Sequence, residues 1–333
     1  MQEKKRIEFI DLAKGVCILM VIIGHITPIP IPGFQTLRMP LYFILSGLFF
    51  KDYGGILQLV LKKTNKILIP FLFFYLLGYL CFYIAEALVP GLIKTDANGI
   101  LDVFFQRQFF NGPIWFLLAL FWANIIFCII SINLTHEWQR LAAVVLIGAL
   151  GICLSYNDIF VPCNIDSAFT ALPFFYFGYI LKKTPILFPN KLDKYNLLFA
   201  ISLYVFTYLI STYFGHPYFG FHANNITGNL PAIYLISISS VMCILFLCKS
   251  IGKLPFVSYF GRYSIIPLCT HHLIYRPMKV GLNSIGLENI WFVVCATIII
   301  CWILIPICIK YIPYVTAQKD LIKIPLKNQI NII

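Results

Sequence analysis

What most limits how this chain can fold is a series of apolar runs separated by short polar connections. They lie at about 7–26, 39–50, 67–89, 113–132, 141–156, 168–181, 197–214, 231–248, 262–277 and 290–312. In hydrocarbon every backbone N–H and C=O needs an internal partner, and a helix supplies one at each residue, so such runs read as membrane helices. A helix crosses with ~20 residues, and several of these runs, notably 39–50 and 168–181, are shorter than the ~17 that crossing needs. Length alone therefore leaves the number of spans open.

Loop charge resolves it. With the N-terminus in the cytoplasm and all ten runs crossing, nineteen of the 25 basic residues fall in inside segments, from Lys4, Lys5 and Arg6 through Lys62, Lys63 and Lys66 to Lys319, Lys323 and Lys327. Only Arg38, Lys94, Arg107, Arg276 and Lys279 fall outside, with Lys14 embedded. Such a bias is the mark of cytoplasmic loops. Dropping the run 39–50 would move Lys51, Lys62, Lys63 and Lys66 outside and invert everything after them, so it is kept. The expected fold is all-α: a polytopic integral membrane helix bundle of about ten transmembrane helices with both termini cytoplasmic. Residues 1–312 form a single membrane domain and 313–333 a short basic tail.

Composition excludes other classes. With 60% hydrophobic and 11% charged residues and a mean hydropathy of +0.87, the chain is far from a soluble domain. Its longest polar stretches, near 90–112, 215–230 and 313–333, are too short to bury cores of their own. A net charge of +12 would suit nucleic acid, but the basic residues sit in short runs between apolar segments, where membrane orientation explains them. No nucleic-acid partner is expected, and the lipid bilayer is. The eleven cysteines show neither paired CxxC motifs nor zinc spacing and read as packing residues, so no metal is expected. Cys153 and Cys163 flank one polar loop and could pair if it faces an oxidising compartment.

The first run carries polar groups that a membrane helix ordinarily lacks. Asp11, Lys14 and His25 are spaced by three and eleven residues, which at about 100° per residue brings all three within roughly 60° of one direction. The helical rise places His25 roughly 16 Å beyond Lys14, so the two serve different depths. Ionisable groups inside a span default to function. The competing reading makes Asp11 and Lys14 a self-neutralising pair near the cytoplasmic interface and leaves His25 among headgroups. Those charges, and the lack of a small-residue cleavage site after Ile26, argue against a cleaved signal peptide, so the run is expected to be a retained span.

Other polar residues recur at run edges. Arg38 starts the second run, after the Pro28–Gly33 loop, where it could bind an anionic group or anchor a short helix. Ser46 and Gly47 lie inside that run, where small residues pack helices closely. Pro267 is expected to kink the run containing Arg262, Ser264, His271 and His272. Glu86, Asn111 and Trp115 are further candidates. Tyr213, His216, Tyr218, Phe219 and His222 crowd one external loop and could stack on a sugar face. On these residues alone the chain fits a membrane enzyme, and equally a proton-coupled transporter or glycan exporter using Asp11, Lys14 and His25 as a relay.

Four segments together resemble acyltransferase family 3. They are Arg6 to His25, Met39-Pro40-Leu41-Tyr42-Phe43-Ile44-Leu45-Ser46-Gly47, Gly112-Pro113-Ile114-Trp115-Phe116-Leu117, and Gly261-Arg262-Tyr263-Ser264. The most specific element is a basic residue followed after ten others by histidine, here Lys14 and His25. The resemblance covers nearly the whole chain. It implies a bacterial inner-membrane O-acyltransferase that takes an acyl group, commonly acetyl, from cytoplasmic acyl-CoA (acetyl-CoA). The acceptor would be a hydroxyl of an extracytoplasmic or lipid-linked glycan. It further implies His25 as catalytic base or acyl relay, with Lys14 placing the donor or balancing Asp11. Arg38, Ser46, Trp115, Arg262, Ser264, His271 and His272 are the expected substrate- and donor-binding set, and no permanently bound cofactor is expected. Some family members carry a hydrolase-like domain after the membrane core. The chain ends at Ile333 without one, so a stand-alone sugar or exopolysaccharide O-acetylase is expected. It would act directly on its acceptor or hand the acyl group to a separate extracytoplasmic transferase.

Overall fold

Each of the ten apolar runs forms a helix in the computed structural model, which describes residues 7–28, 36–88, 99–105, 109–286 and 289–323. Lys4, Lys5, Arg6, Lys94, Arg107, Lys327 and most of the Pro28–Gly33 loop lie outside the described residues. The helices are α1 (Glu8–Ile26), α2 (Arg38–Leu48), α3 (Ile56–Leu88), α4 (Trp115–Asn133), α5 (Glu137–Tyr156), α6 (Ile165–Leu181), α7 (Asn196–Tyr213), α8 (Leu230–Ile251), the short α9 (Pro255–Arg262), α10 (Ile265–Ser284) and α11 (Ile290–Tyr311). Among the described residues the only strands are β1 (Tyr218–Gly220) and β2 (Asn225–Thr227), an antiparallel pair. The fold is all-α, and among the described residues seven helices are long and apolar enough to cross a membrane by length and composition. The other three runs, α2, α6 and α10, are shorter or more polar.

The direction of each helix is fixed by which ends meet. Glu8, at the start of α1, lies 3.4 Å from Lys253 and 3.8 Å from Arg262, just before α10. Lys182, at the end of α6, donates to the Phe50 carbonyl at the end of α2 (3.0 Å). Glu137, at the start of α5, binds Lys183 (2.6 Å) and Arg140, and Arg140 also donates to the Leu134 and Ser131 carbonyls at the end of α4. Lys249 at the end of α8 reaches Asp193 (2.6 Å), just before α7. Asp320, beyond α11, meets Lys62 and Lys66 in the first part of α3. The starts of α1, α3, α5, α7 and α10 thus share one end of the bundle with the ends of α2, α4, α6, α8 and α11. It is the basic end, which charge bias assigns to the cytoplasm.

Close helix approach depends on small residues. A Cβ on Gly47 would fall on the Phe175 carbonyl oxygen, and one on Gly178 on that of Ile44, so α2 and α6 cross backbone to backbone. Gly15 against Val257 and Gly261 against Asp11 do the same for α1 and α9. Ser46 exchanges hydrogen bonds with Asn124 (3.1–3.3 Å), tying α2 to α4.

The expected kink at Pro267 is not found. The run beginning at residue 262 is instead broken at Tyr263–Ser264, between α9 and α10. Pro267 then falls in the first turn of α10, where a missing N–H costs nothing. The proline inside this helix is Pro277. Cys153 and Cys163 are both free thiols.

Residues 313–323 are held against α3. Its one π-helical turn, Thr64–Leu68, presents the fully buried Asn65, whose Oδ1 accepts from the Leu321 and Ile322 N–H groups (both 2.8 Å). Lys62 and Lys66 hold the Asp320 carboxyl below its ordinary range, the Lys62 hydrogen bond contributing most. The contact is therefore complete above the ordinary carboxylate pKa of ~3.9 and is lost as pH falls through the lower folded value. The partners are part-exposed, which limits the tie to about 1 kcal/mol. Asp320→Asn is expected to leave the fold intact and speed proteolysis of this segment in membranes that expose the basic end. Unchanged cleavage would count against the tie.

Candidate active site

At the end opposite the basic one, five segments converge on a cavity of about 270 Å³ lined by His25, Thr36, Arg38, Trp115 and His222 among others. His25 is the next-to-last residue of α1 and is exposed to this space. Arg38, in the first turn of α2, lies across Gly24, where a Cβ would collide with the guanidinium. The glycine therefore lets a cation rest one residue from the imidazole. Trp115 enters from the start of α4, behind the Gly112–Ile114 turn.

The β1–β2 hairpin closes the cavity with Tyr218, Phe219, Phe221 and His222. Buried polar groups fix it in place. Asn224, left-handed at φ 47°, donates to the Gly151 carbonyl (3.0 Å) and accepts from Thr170 (2.8 Å). Ser167 donates to the Phe221 carbonyl (2.7 Å) and Asn164 to that of His222 (3.2 Å). The outer ends of α5 and α6 thereby set the His222 ring 5.7 Å from Trp115. Tyr213 is 82% exposed and does not line the cavity.

Behind His25 stand both histidines of α10, with ring centres 5.3 Å (His271) and 6.1 Å (His272) from it. Fully buried His271 has Nδ1 2.7 Å from the Pro267 carbonyl. A carbonyl only accepts, so Nδ1 carries the hydrogen and Nε2 of the neutral ring keeps its lone pair. That Nε2 is buried without a partner. A lone pair beside His25 can hold an N–H of that ring and so turn its other nitrogen toward the cavity.

The remaining expected residues lie toward the basic end. Asp11 lies 3.9 Å from Arg262, so the low acid on α1 is met by a cation from α9. The Lys14 ammonium stands 6.0 Å from the Phe49 ring, near the end of α2. Tyr42 donates to the Lys14 carbonyl (3.2 Å) and shares a hydrogen bond with Ser264. Cys17 donates to the Arg38 carbonyl (3.1 Å). A polar seam thus runs between α1, α2 and α10 from Lys14 toward His25. Ser46 is engaged by Asn124 and is not among the residues lining the cavity. Sequence reasoning missed Gly24, Thr36, Tyr42 and Asn224. Of these, only Gly24, a glycine directly before the histidine, carried a local signal.

Comparison with curated proteins and with solved structures finds no match. A family model does match, and it takes in both the polar seam and the histidine cluster. The acyltransferase 3 model, described as an acyltransferase domain, covers residues 7–308, and the chain belongs to that family of membrane acyltransferases.

Proposed function

We propose that the protein moves an acyl group from acyl-CoA on the cytoplasmic side to a hydroxyl of a glycan on the other side, with His25 as the general base. The observation that carries this is a solvent-reached imidazole between Arg38 in front and the buried lone pair of His271 behind. His271 accepts the N–H of His25, and the free His25 nitrogen takes the proton of the incoming hydroxyl. The hydroxyl oxygen bonds to the thioester carbon, the C–S bond breaks, and the proton passes to the departing thiolate. The products are a glycan ester and coenzyme A. Arg38 faces the charge that develops on the carbonyl oxygen.

The donor's phosphates suit the basic end, where Lys14 and Arg262 lie, and its pantetheine arm bridges the roughly 16 Å to His25 along the Tyr42–Ser264 seam. Trp115, Tyr218 and His222 offer faces on which a sugar can stack. The test compares, by mass spectrometry, surface glycans of the source cell with and without the gene. Ester-linked acyl groups are expected only with the gene. Identical glycans would overturn the reading, and a protein that merely moved substrate would give that result.

A further inference from the structure

A second space approaches one of these histidines, His272, from the bilayer. It is a largely apolar slot of about 190 Å³ between α3 and α10, lined by Gly78, Cys81 and Ala85 on one side and by His272, Arg276 and Pro277 on the other. Cys81 and Pro277 are exposed, so the slot opens on the surface that faces lipid. Its deep end is polar. His272 lines it, and its Nδ1 is buried without a hydrogen-bond partner among the described residues. Asn111 is tied to α10 through the Cys269 carbonyl (2.7 Å) and packs against Gly78, while Gly112 adjoins the His272 ring. An unmet buried polar atom costs about 1–3 kcal/mol, and a donor left unmet on a cavity wall marks a place where a ligand that accepts completes the bonding.

We propose that this slot holds the hydrocarbon chain of the acyl group being transferred, so that the enzyme uses acyl groups longer than acetyl. This rests on acyl transfer at His25. The acyl carbonyl lies at the deep end, accepting from His272 Nδ1–H within reach of His25, and the chain runs out between α3 and α10 toward lipid. The volume equals about six waters at ~30 Å³ each, room for several methylenes where acetyl needs one methyl. A phospholipid tail would suit the apolar walls and leave His272 Nδ1 unmet. An acyl ester or thioester has the chain and the carbonyl acceptor together.

The test uses purified protein in lipid nanodiscs, glycan extracted from cells lacking the gene, and equal amounts of acetyl-, butyryl- and hexanoyl-CoA. The esters formed are weighed by mass spectrometry. Wild type is expected to transfer butyryl and hexanoyl at least as readily as acetyl. Ala85→Trp, which fills the slot from its α3 wall, is expected to lower the longer-chain products by roughly tenfold or more while sparing acetyl. Cys81→Trp should do the same. Acetyl-only transfer by wild type, or an unchanged chain-length ratio in both variants, would overturn the slot assignment with acyl transfer intact. No transfer from any donor would instead remove the acyl-transfer reading, and this assignment with it.

Discussion

His25→Gln is expected to lower acyl transfer by roughly 10²–10⁴-fold, the usual contribution of a positioned general base, at unchanged protein level. The fold should tolerate the change because His25 is exposed to the cavity and Gln occupies similar space. The loss should appear in kcat with little change in KM, because the proton is taken only as the hydroxyl attacks. In the proposed mechanism His271 acts through His25 as a positioning residue, so His271→Leu should cost less, on the order of tenfold to a hundredfold. His271→Gln should recover part of that loss, because its amide oxygen can accept a His25 N–H in the role proposed for Nε2. A purely structural His271 would show no such rescue. Parental rates in the His25→Gln protein would remove the base from the mechanism altogether.

The outline of the bundle was legible in the sequence because the bilayer enforces a local rule: a long apolar run has no stable alternative to a helix. All ten runs are helices, and the alternation inferred from loop charge reappears in the ends joined by Lys182, Lys183, Lys249 and Asp320. The polar face of α1 was also legible, since helical spacing alone aligns Asp11, Lys14 and His25. Pro267 was misread because proline breaks a helix interior but is at home in a first turn, and where α10 begins depends on α9 packing against α1. Partners were not legible either. Ser46 meets Asn124 and Asn224 meets Gly151 across 78 and 73 residues, distances over which local pattern carries no information. The histidine cluster fell between these cases. His25 and His271 were both singled out, but nothing in their spacing said that one would stand behind the other.

Gly178→Leu is expected to prevent recovery of folded protein, the largest effect on stability foreseen for any single change. The atom that an added Cβ would meet is the carbonyl oxygen of Ile44, and backbone cannot rotate aside as a side chain can. Gly47 faces the Phe175 carbonyl in the same crossing, so relief at one site is blocked at the other. Overpacking of ordinary cores costs about 1–3 kcal/mol, and a clash of main chain with main chain lies above that range. Gly281→Ala is the control. It lies in α10 with open space around its Cβ position, and the change should be neutral or slightly stabilising by helix propensity. The measurement is the monodisperse fraction in detergent by size exclusion, with a thermal melt on what survives. A Gly178→Leu protein that elutes and melts like wild type would show that α2 and α6 do not cross this closely. The crossing also carries chemistry, because α2 brings Arg38 over Gly24. Gly178→Ala, the milder change, should therefore lose transfer and stability together, whereas His25→Gln loses transfer alone. A site residue and the framework that positions it are told apart by that difference.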